Sequence, residues 1–329
     1  MRLLAIAQHL GGRLEGPDVE VSRLAPPDEA RPGELVAVRS PRFLEAAIAS
    51  GAALVLDEAS PCPLGRSVVR VPSVEKAWPA LLALFDPPEN WALGVHPTAL
   101  IEEGACLEAG ARVGAYAVVC RGARVAKGAV VGPFCYVGEG VEVGPFSVLE
   151  PRVTLYRYTR LGAGCRVGAG SVLGVIGFGF QEGRRLPHTG RVVLEDGVEL
   201  GAGCVVQRSV VGETRIGAQS KIGDLTQIGH NVRIGRGVVM VGSSAIGGSA
   251  VVEDGVLMGG WVVLSDHVRV GAGARLSGGS AVSKDVPPGQ TWAGAVPARP
   301  IRQHWRRLAL LDWLASVERG LRQLLRSGA

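Results

Sequence analysis

VGAYAVVCRGARVAKGAVV, residues 113–131, places an aliphatic residue at every sixth position: Val113, Val119, Val125 and Val131. The period extends without a miss from Val95 through Ile101 and Leu107, and onward through Val137, Val143, Leu149, Leu155, Leu161 and Val167 to Leu173. Such a period matches neither the 3.6-residue turn of an α-helix nor the alternation of an ordinary strand. It matches a solenoid with three flat sides, one hexad to a side, that together close one coil. The expected fold is mainly β: a left-handed parallel β-helix.

The other positions of the hexad agree. The fifth is small or β-branched, as at Ala99, Ala105, Ala111, Ala117, Ala123, Ala129, Cys135, Ser147, Thr159, Cys165 and Ser171. One large and one small side chain per face would fill a tapering interior. The fourth is often glycine, as at Gly104, Gly110, Gly122, Gly128, Gly140, Gly164 and Gly170, which suits a corner with positive φ. Collagen is excluded, because the 48 glycines do not recur every third residue.

The period returns at Leu194, Leu200 and Val206, slips by four positions, and runs again from Ile216 to Val282. About ten coils, standing about 50 Å tall, are expected. Two breaks interrupt them, residues 174–191 and a short insertion near Gly212. Loops ejected from a solenoid tend to lie on its binding face.

Outside the solenoid, residues 1–94 lack the hexad and read as a small α/β domain. Its expected helices cover residues 3–10, 42–50 and 74–85, and its strands 34–38, 52–56 and 67–71. The β-helix is assigned to residues 95–286 and a helical tail to 287–329. The tail reads as an amphipathic helix over residues 302–325, with Trp305, Leu308, Leu311, Leu314, Leu321, Leu324 and Leu325 as its apolar stripe. Its other face carries Arg302, Arg306, Arg307, Arg319, Arg322 and Arg326. That face is either solvated while the stripe packs on symmetry mates, or a docking surface for an acidic partner. The open sides of a single prism suggest a homotrimer.

Composition narrows the function classes. The net charge is +5 and aromatics are only 5%, with no basic patch interleaved among them, so nucleic-acid binding is not expected. The six cysteines include no CxxC pair, and Cys135, Cys165 and Cys204 take the inward position, so they read as buried thiols in a reducing compartment. Neither a signal peptide nor an apolar run long enough to span a bilayer is present, so a cytoplasmic protein with at most peripheral membrane contact is expected.

Of the six histidines, His9, His96 and His304 lie outside the repeats or at their edge, which leaves His188, His230 and His267. His230 is the third, outward residue of its hexad, and Gly248 lies three hexads on, one coil above. His267 falls in the hexad two coils above that of His230, about 10 Å along the axis. A neutral imidazole there could take a proton from an attacking amine or hydroxyl. The backbone N–H of a glycine one coil away could meet the oxyanion of a tetrahedral intermediate. An ordinary surface histidine is the plainer alternative. No metal site is expected, since His230 has no ligand close in sequence and the two imidazoles are too far apart to share an ion.

The stretch Gly223-Asp224-Leu225-Thr226-Gln227-Ile228-Gly229-His230-Asn231 closely resembles the active-site hexads of the UDP-3-O-(3-hydroxyacyl)glucosamine N-acyltransferases of lipid A biosynthesis. The resemblance extends to the N-terminal domain, Gly177-Phe178-Gly179-Phe180, Gly190-Arg191-Val192, the position of His267 and the C-terminal helix. It implies transfer of a 3-hydroxyacyl chain from acyl carrier protein to the 2-amino group of a UDP-linked glucosamine, with no bound cofactor. His230 matches the general base, Gly248 the oxyanion glycine, and His267 a residue associated with the nucleotide phosphates. Gln227 and Asn231 flank the base as substrate-binding positions. Ser40-Pro41-Arg42-Phe43 stands where the family holds uracil, so Ser40, Arg42 and Phe43 are expected to bind the nucleotide.

Three departures bear on the sugar nucleotide: Ala37 where a second aromatic is expected, and Gln207 and Gly223 where Asp is usual. Two alternatives stay open at this level. One is a CoA-dependent acyl- or acetyltransferase on another nucleotide-linked amino sugar, and the other a nucleotide-sugar-binding solenoid without catalysis.

Overall fold

A computed structural model describes all residues except 63, 64, 88, 90, 92, 295–299 and 327–329. The chain divides into two compact units, Met1–Asn90 and Trp91–Ala329. Residues 295–299 of the tail, and the side chains of its last arginines and leucines, therefore lie outside the described residues.

The first unit is a four-stranded sheet, ordered β1 (Arg13–Glu15), β4 (Val68–Val71), β3 (Ala53–Asp57), β2 (Leu35–Ala37). β2, β3 and β4 run parallel, and β1 pairs antiparallel with β4. Alternation along β3 splits the core in two. Ala53 and Val55 pack with α1 (Leu3–His9) and α3 (Val74–Phe85), while Leu54 and Leu56 pack beside Ala47 of α2 (Leu44–Ala49). Ser73 starts α3 as its N-cap, its Oγ accepting from the Lys76 N–H at 3.3 Å. The one element not anticipated is β1, whose three residues Arg13-Leu14-Glu15 are too few and too polar to show a strand period.

Among the described residues the second unit is a parallel β-helix of three sheets with 10, 10 and 9 strands, most of them two residues long. Partners stand three hexads apart, as in Val119, Val137, Leu155 and Leu173. The step lengthens across the first break, where Leu173 pairs with Val206, and across the second, where Val206 pairs with Ile228. Both insertions are thus looped outward, and the column of inward aliphatics closes again above each. Inward serines are satisfied within the stack: Ser171 Oγ donates to Gly201 O at 2.9 Å and accepts from Cys204 N at 3.0 Å.

The fourth hexad position takes a left-handed φ whether or not it is glycine, as at Gly122 (69°), Tyr116 (56°) and Asn231 (61°). The stack extends past Val286 by one strand, Thr291–Trp292, paired with Arg275–Leu276. The tail forms α4 (Ile301–Arg326), on which Trp305, Leu308, Leu311, Trp313 and Leu314 are exposed. Among the described residues, no helix is long and apolar enough to cross a membrane.

Two outcomes test the closed column. Leu155 is fully buried, so Leu155→Ala should lower unfolding free energy in urea by roughly 2–5 kcal/mol. Burial pushes the Cys135 thiol up to about 11 and also raises those of Cys165 and Cys204. Since only thiolate reacts, iodoacetamide at about pH 8 should modify exposed Cys106 in the folded protein and spare these three until denaturant is added. Mass spectrometry showing Cys135 labelled as fast as Cys106 would contradict this packing.

Candidate active site

His230 stands at a corner of the β-helix, just after the short strand Gln227–Ile228. The neighbouring residue Asn231 fixes its tautomer. Asn231 Nδ2 donates to Val211 O at 3.1 Å, and its Oδ1 accepts from Val210 N at 3.0 Å, so the orientation of the amide is determined. The same Oδ1 lies 3.1 Å from His230 Nδ1. An amide oxygen only accepts, so Nδ1 is the donor, and in the neutral ring the lone pair is on Nε2. Val210 and Val211 belong to the second, shorter insertion, which therefore sets the tautomer of a histidine one coil above it.

Two glycines keep that imidazole accessible. A Cβ at Gly248 would sit 2.8 Å from both Nε2 and Cε1 of His230, and one at Gly177 would sit 3.1 Å from its Cδ2. Gly177 comes from the ejected segment, which folds as a small hairpin pairing Phe180–Gln181 with Arg184–Arg185. The hairpin returns through His188, whose ring lies edge-to-face with His230 at 5.6 Å between centroids. His188 is only 2% exposed, its Nδ1 donates to Leu186 O at 2.9 Å, and its Nε2 has no hydrogen-bond partner among the described residues. The Gln207 side chain approaches the same point, with Oε1 2.9 Å from where a Gly177 Cβ would stand.

His188 received no role from the sequence. It precedes His230 by seven hexad lengths, which is no whole number of three-hexad coils, because it lies inside the first insertion and the second falls between them. The only pointer was its membership of an ejected loop.

One expectation needs correction. The Gly248 N–H does not stand free for an oxyanion, because it donates to Asp266 Oδ1 at 2.7 Å. The same corner staple joins Ala202 N to Asp224 and Arg236 N to Asp254, so it belongs to the construction of the coil. The hexad of His267 stands two coils above that of His230, as expected, with His267 one position further along. The column through His230 and Gly248 continues to Asp266, and exposed His267 tops the column of Asn231 and Ser249, with the same left-handed φ.

Gln227 is exposed on its strand. Ser40, Arg42 and Phe43 lie together in the first unit, where Ser40 precedes the 3-10 turn Pro41–Phe43 that leads into α2. The Arg42 guanidinium carbon is 4.4 Å from the Phe43 ring centroid and covers one face of it. Among the described residues, no three of His, Cys, Asp and Glu converge as a metal site.

A prism of short parallel strands with an imidazole bared at its corner defines the class as a β-helical transferase of acyl groups. Over 322 residues the chain is 37% identical to the UDP-3-O-acylglucosamine N-acyltransferase of Caulobacter sp. K31, covering 94% of this chain and 92% of that one. It is also 37% identical to the enzyme of the same name from Methylobacterium sp. 4-46 over 158 residues, a match spanning 47% of this chain and 45% of that one. Among solved structures, an Arabidopsis UDP-N-acetylglucosamine acyltransferase superimposes with a TM-score of 0.55 at 26% identity, covering 61% of this chain and 71% of that one. No family model matches the chain. The chain belongs to the UDP-3-O-acylglucosamine N-acyltransferase family and is an acyltransferase.

The crowding at Gly248 gives a direct test. Gly248→Ala should leave the fold intact by circular dichroism and lower kcat by about 10²-fold, since the methyl group must displace the His230 ring. An unchanged kcat would mean that the ring position is immaterial.

Proposed function

We propose that this chain moves a 3-hydroxyacyl group from the thioester of acyl carrier protein to the 2-amino group of UDP-3-O-acyl-glucosamine, in lipid A biosynthesis, with His230 as general base. The observation that carries the reading is the tautomer: with Nδ1–H committed to Asn231, Nε2 is the atom at which the neutral His230 ring can accept a proton, and the space before it is kept clear by Gly248. Family membership supports the acceptor and the amide product.

In this reading the amine nitrogen attacks the thioester carbonyl while Nε2 removes its proton. The C–S bond then breaks, and the imidazolium returns the proton to the departing thiolate. Asn231 holds the ring throughout. Gly248 contributes open space, and its N–H would have to leave Asp266 to meet an oxyanion.

The remaining roles belong to the same proposal. Phe43, with Ser40 and Arg42, offers the uncovered face of its ring to uracil, and Gln227 and His267 contact the acceptor. Arg302, Arg306 and Arg307 of α4 present a basic surface to the acidic carrier. The chain works as a cytoplasmic homotrimer.

His230→Ala should retain binding of UDP-glucosamine by calorimetry while single-turnover transfer falls by at least about two orders of magnitude. A variant that acylates at nearly the wild-type rate removes His230 from the mechanism. Supplying the acyl group on carrier protein and on CoA in parallel separates the donors, and turnover with CoA alone would overturn the carrier assignment.

A further inference from the structure

Among the described residues, His188 Nε2 and Ser209 Oγ are buried side-chain polar atoms without a hydrogen-bond partner. The first stands beside the imidazole that the proposed reaction uses. A buried acceptor left unmatched costs free energy, and His188 is only 2% exposed. Turning the ring would not relieve that cost, because its Nδ1 donates to Leu186 O at 2.9 Å, two residues back on the same hairpin. In the neutral ring the lone pair therefore stays on Nε2.

The direction of that lone pair gives it a use. A Cβ at Gly177 would stand 2.8 Å from His188 Nε2 and 3.1 Å from His230 Cδ2, so both atoms face one gap into which Gly177 projects only a hydrogen. The two rings meet edge to face, with centroids 5.6 Å apart and planes at 81°. Asn231 grips His230 at Nδ1, and a single hydrogen bond leaves a ring free to rock about it. The contact on the Cδ2 side supplies a second point. When His230 takes a proton, its C–H edge becomes more positive, and a fixed lone pair beside Cδ2 favours that state over the neutral one. An acceptor unpaired at rest thus gains an interaction as charge develops, the kind of differential stabilisation that raises kcat and leaves affinity alone.

We infer that His188 is a positioning residue for His230, its Nε2 lone pair steadying the ring and favouring it as it becomes charged, an assignment that rests on His230 being the general base. His188 itself touches no reacting atom, since its Nε2 is buried behind Gly177.

Two amides separate the two ends of the His188 ring. The side-chain oxygen of His188→Gln can take the place of Nε2, so this variant keeps an acceptor toward His230. The side-chain amide nitrogen of His188→Asn can take the place of Nδ1, so this one keeps only the donor toward Leu186. With acyl carrier thioester and UDP-3-O-acyl-glucosamine, the Asn variant should lose about tenfold in kcat at unchanged KM, as for other partners that orient a working imidazole. The Gln variant should stay near the wild-type rate. In a His230→Ala background, His188→Asn should have no further effect, because its influence passes through the missing ring. Ring-nitrogen NMR of the unsubstituted protein depends on no variant folding, and should find His188 Nε2 without a proton in the neutral ring. Equal losses of kcat in the Asn and Gln variants, a change confined to KM, the same loss with and without His230, or a proton on His188 Nε2 would each overturn the assignment. Full kcat in His188→Asn overturns it while leaving His230 as the base. Near wild-type transfer by His230→Ala removes the base, and the role of His188 falls with it.

Discussion

A strand of two residues has no register of its own. Each one here is placed by backbone hydrogen bonds to the coils below and above, and its large side chain must land on the aliphatic column inside. Lateral stacking therefore decides where every outward side chain points. His230, Gly248 and Asp266 form a column because each follows the last by one full coil of three hexads, and a slip of a single position anywhere below would replace them with their neighbours. Precision at the site comes from the whole stack and not from a local loop.

The corners show how that constraint settles a question of strain. Non-glycine residues with left-handed φ often mark a functional site, at a cost of order 1–3 kcal/mol each. Here Asn231 and His267 have it, but so do Tyr116, Phe134 and Trp261, at a different corner that follows the strands of another sheet. The conformation is a requirement of the coil and says nothing about chemistry. What distinguishes Asn231 is the use of its amide, which the inserted Val210 and Val211 hold in one orientation so that it can fix the tautomer of His230. Asn is also among the residues that tolerate the left-handed region best.

The same arithmetic explains what could be read from the sequence. Inward Val, Leu and Ile at every sixth position revealed the β-helix, its two insertions and the outward setting of His230, because each depends only on counting. In the first unit the helices and parallel strands followed their periods, and only the short polar strand Arg13–Glu15 escaped notice. Counting failed where the chain leaves the repeat. His188 reaches His230 through a hairpin whose path no period describes. The Asp266 bond to Gly248 was missed for another reason: Asp266 was visible, but the staple is a property of the corner in three dimensions. His267 was read into the correct hexad, two coils above that of His230, and the structure adds that it sits one position further along.

These misses have a common cause with the function. A perfect repeat presents the same surface at every coil and cannot create a single site. The hairpin supplies His188 and Gly177, the bulge supplies the carbonyl and amide that lock Asn231, and the step between them buries Arg208 against Gly174 O. Each of these departures faces the same corner. The regular coils bury the aliphatic surface and bind the backbone, which lets the irregular ones carry an unsatisfied imidazole nitrogen at tolerable cost. The break in the period is therefore the better guide to the chemistry, and the period to the scaffold that holds it.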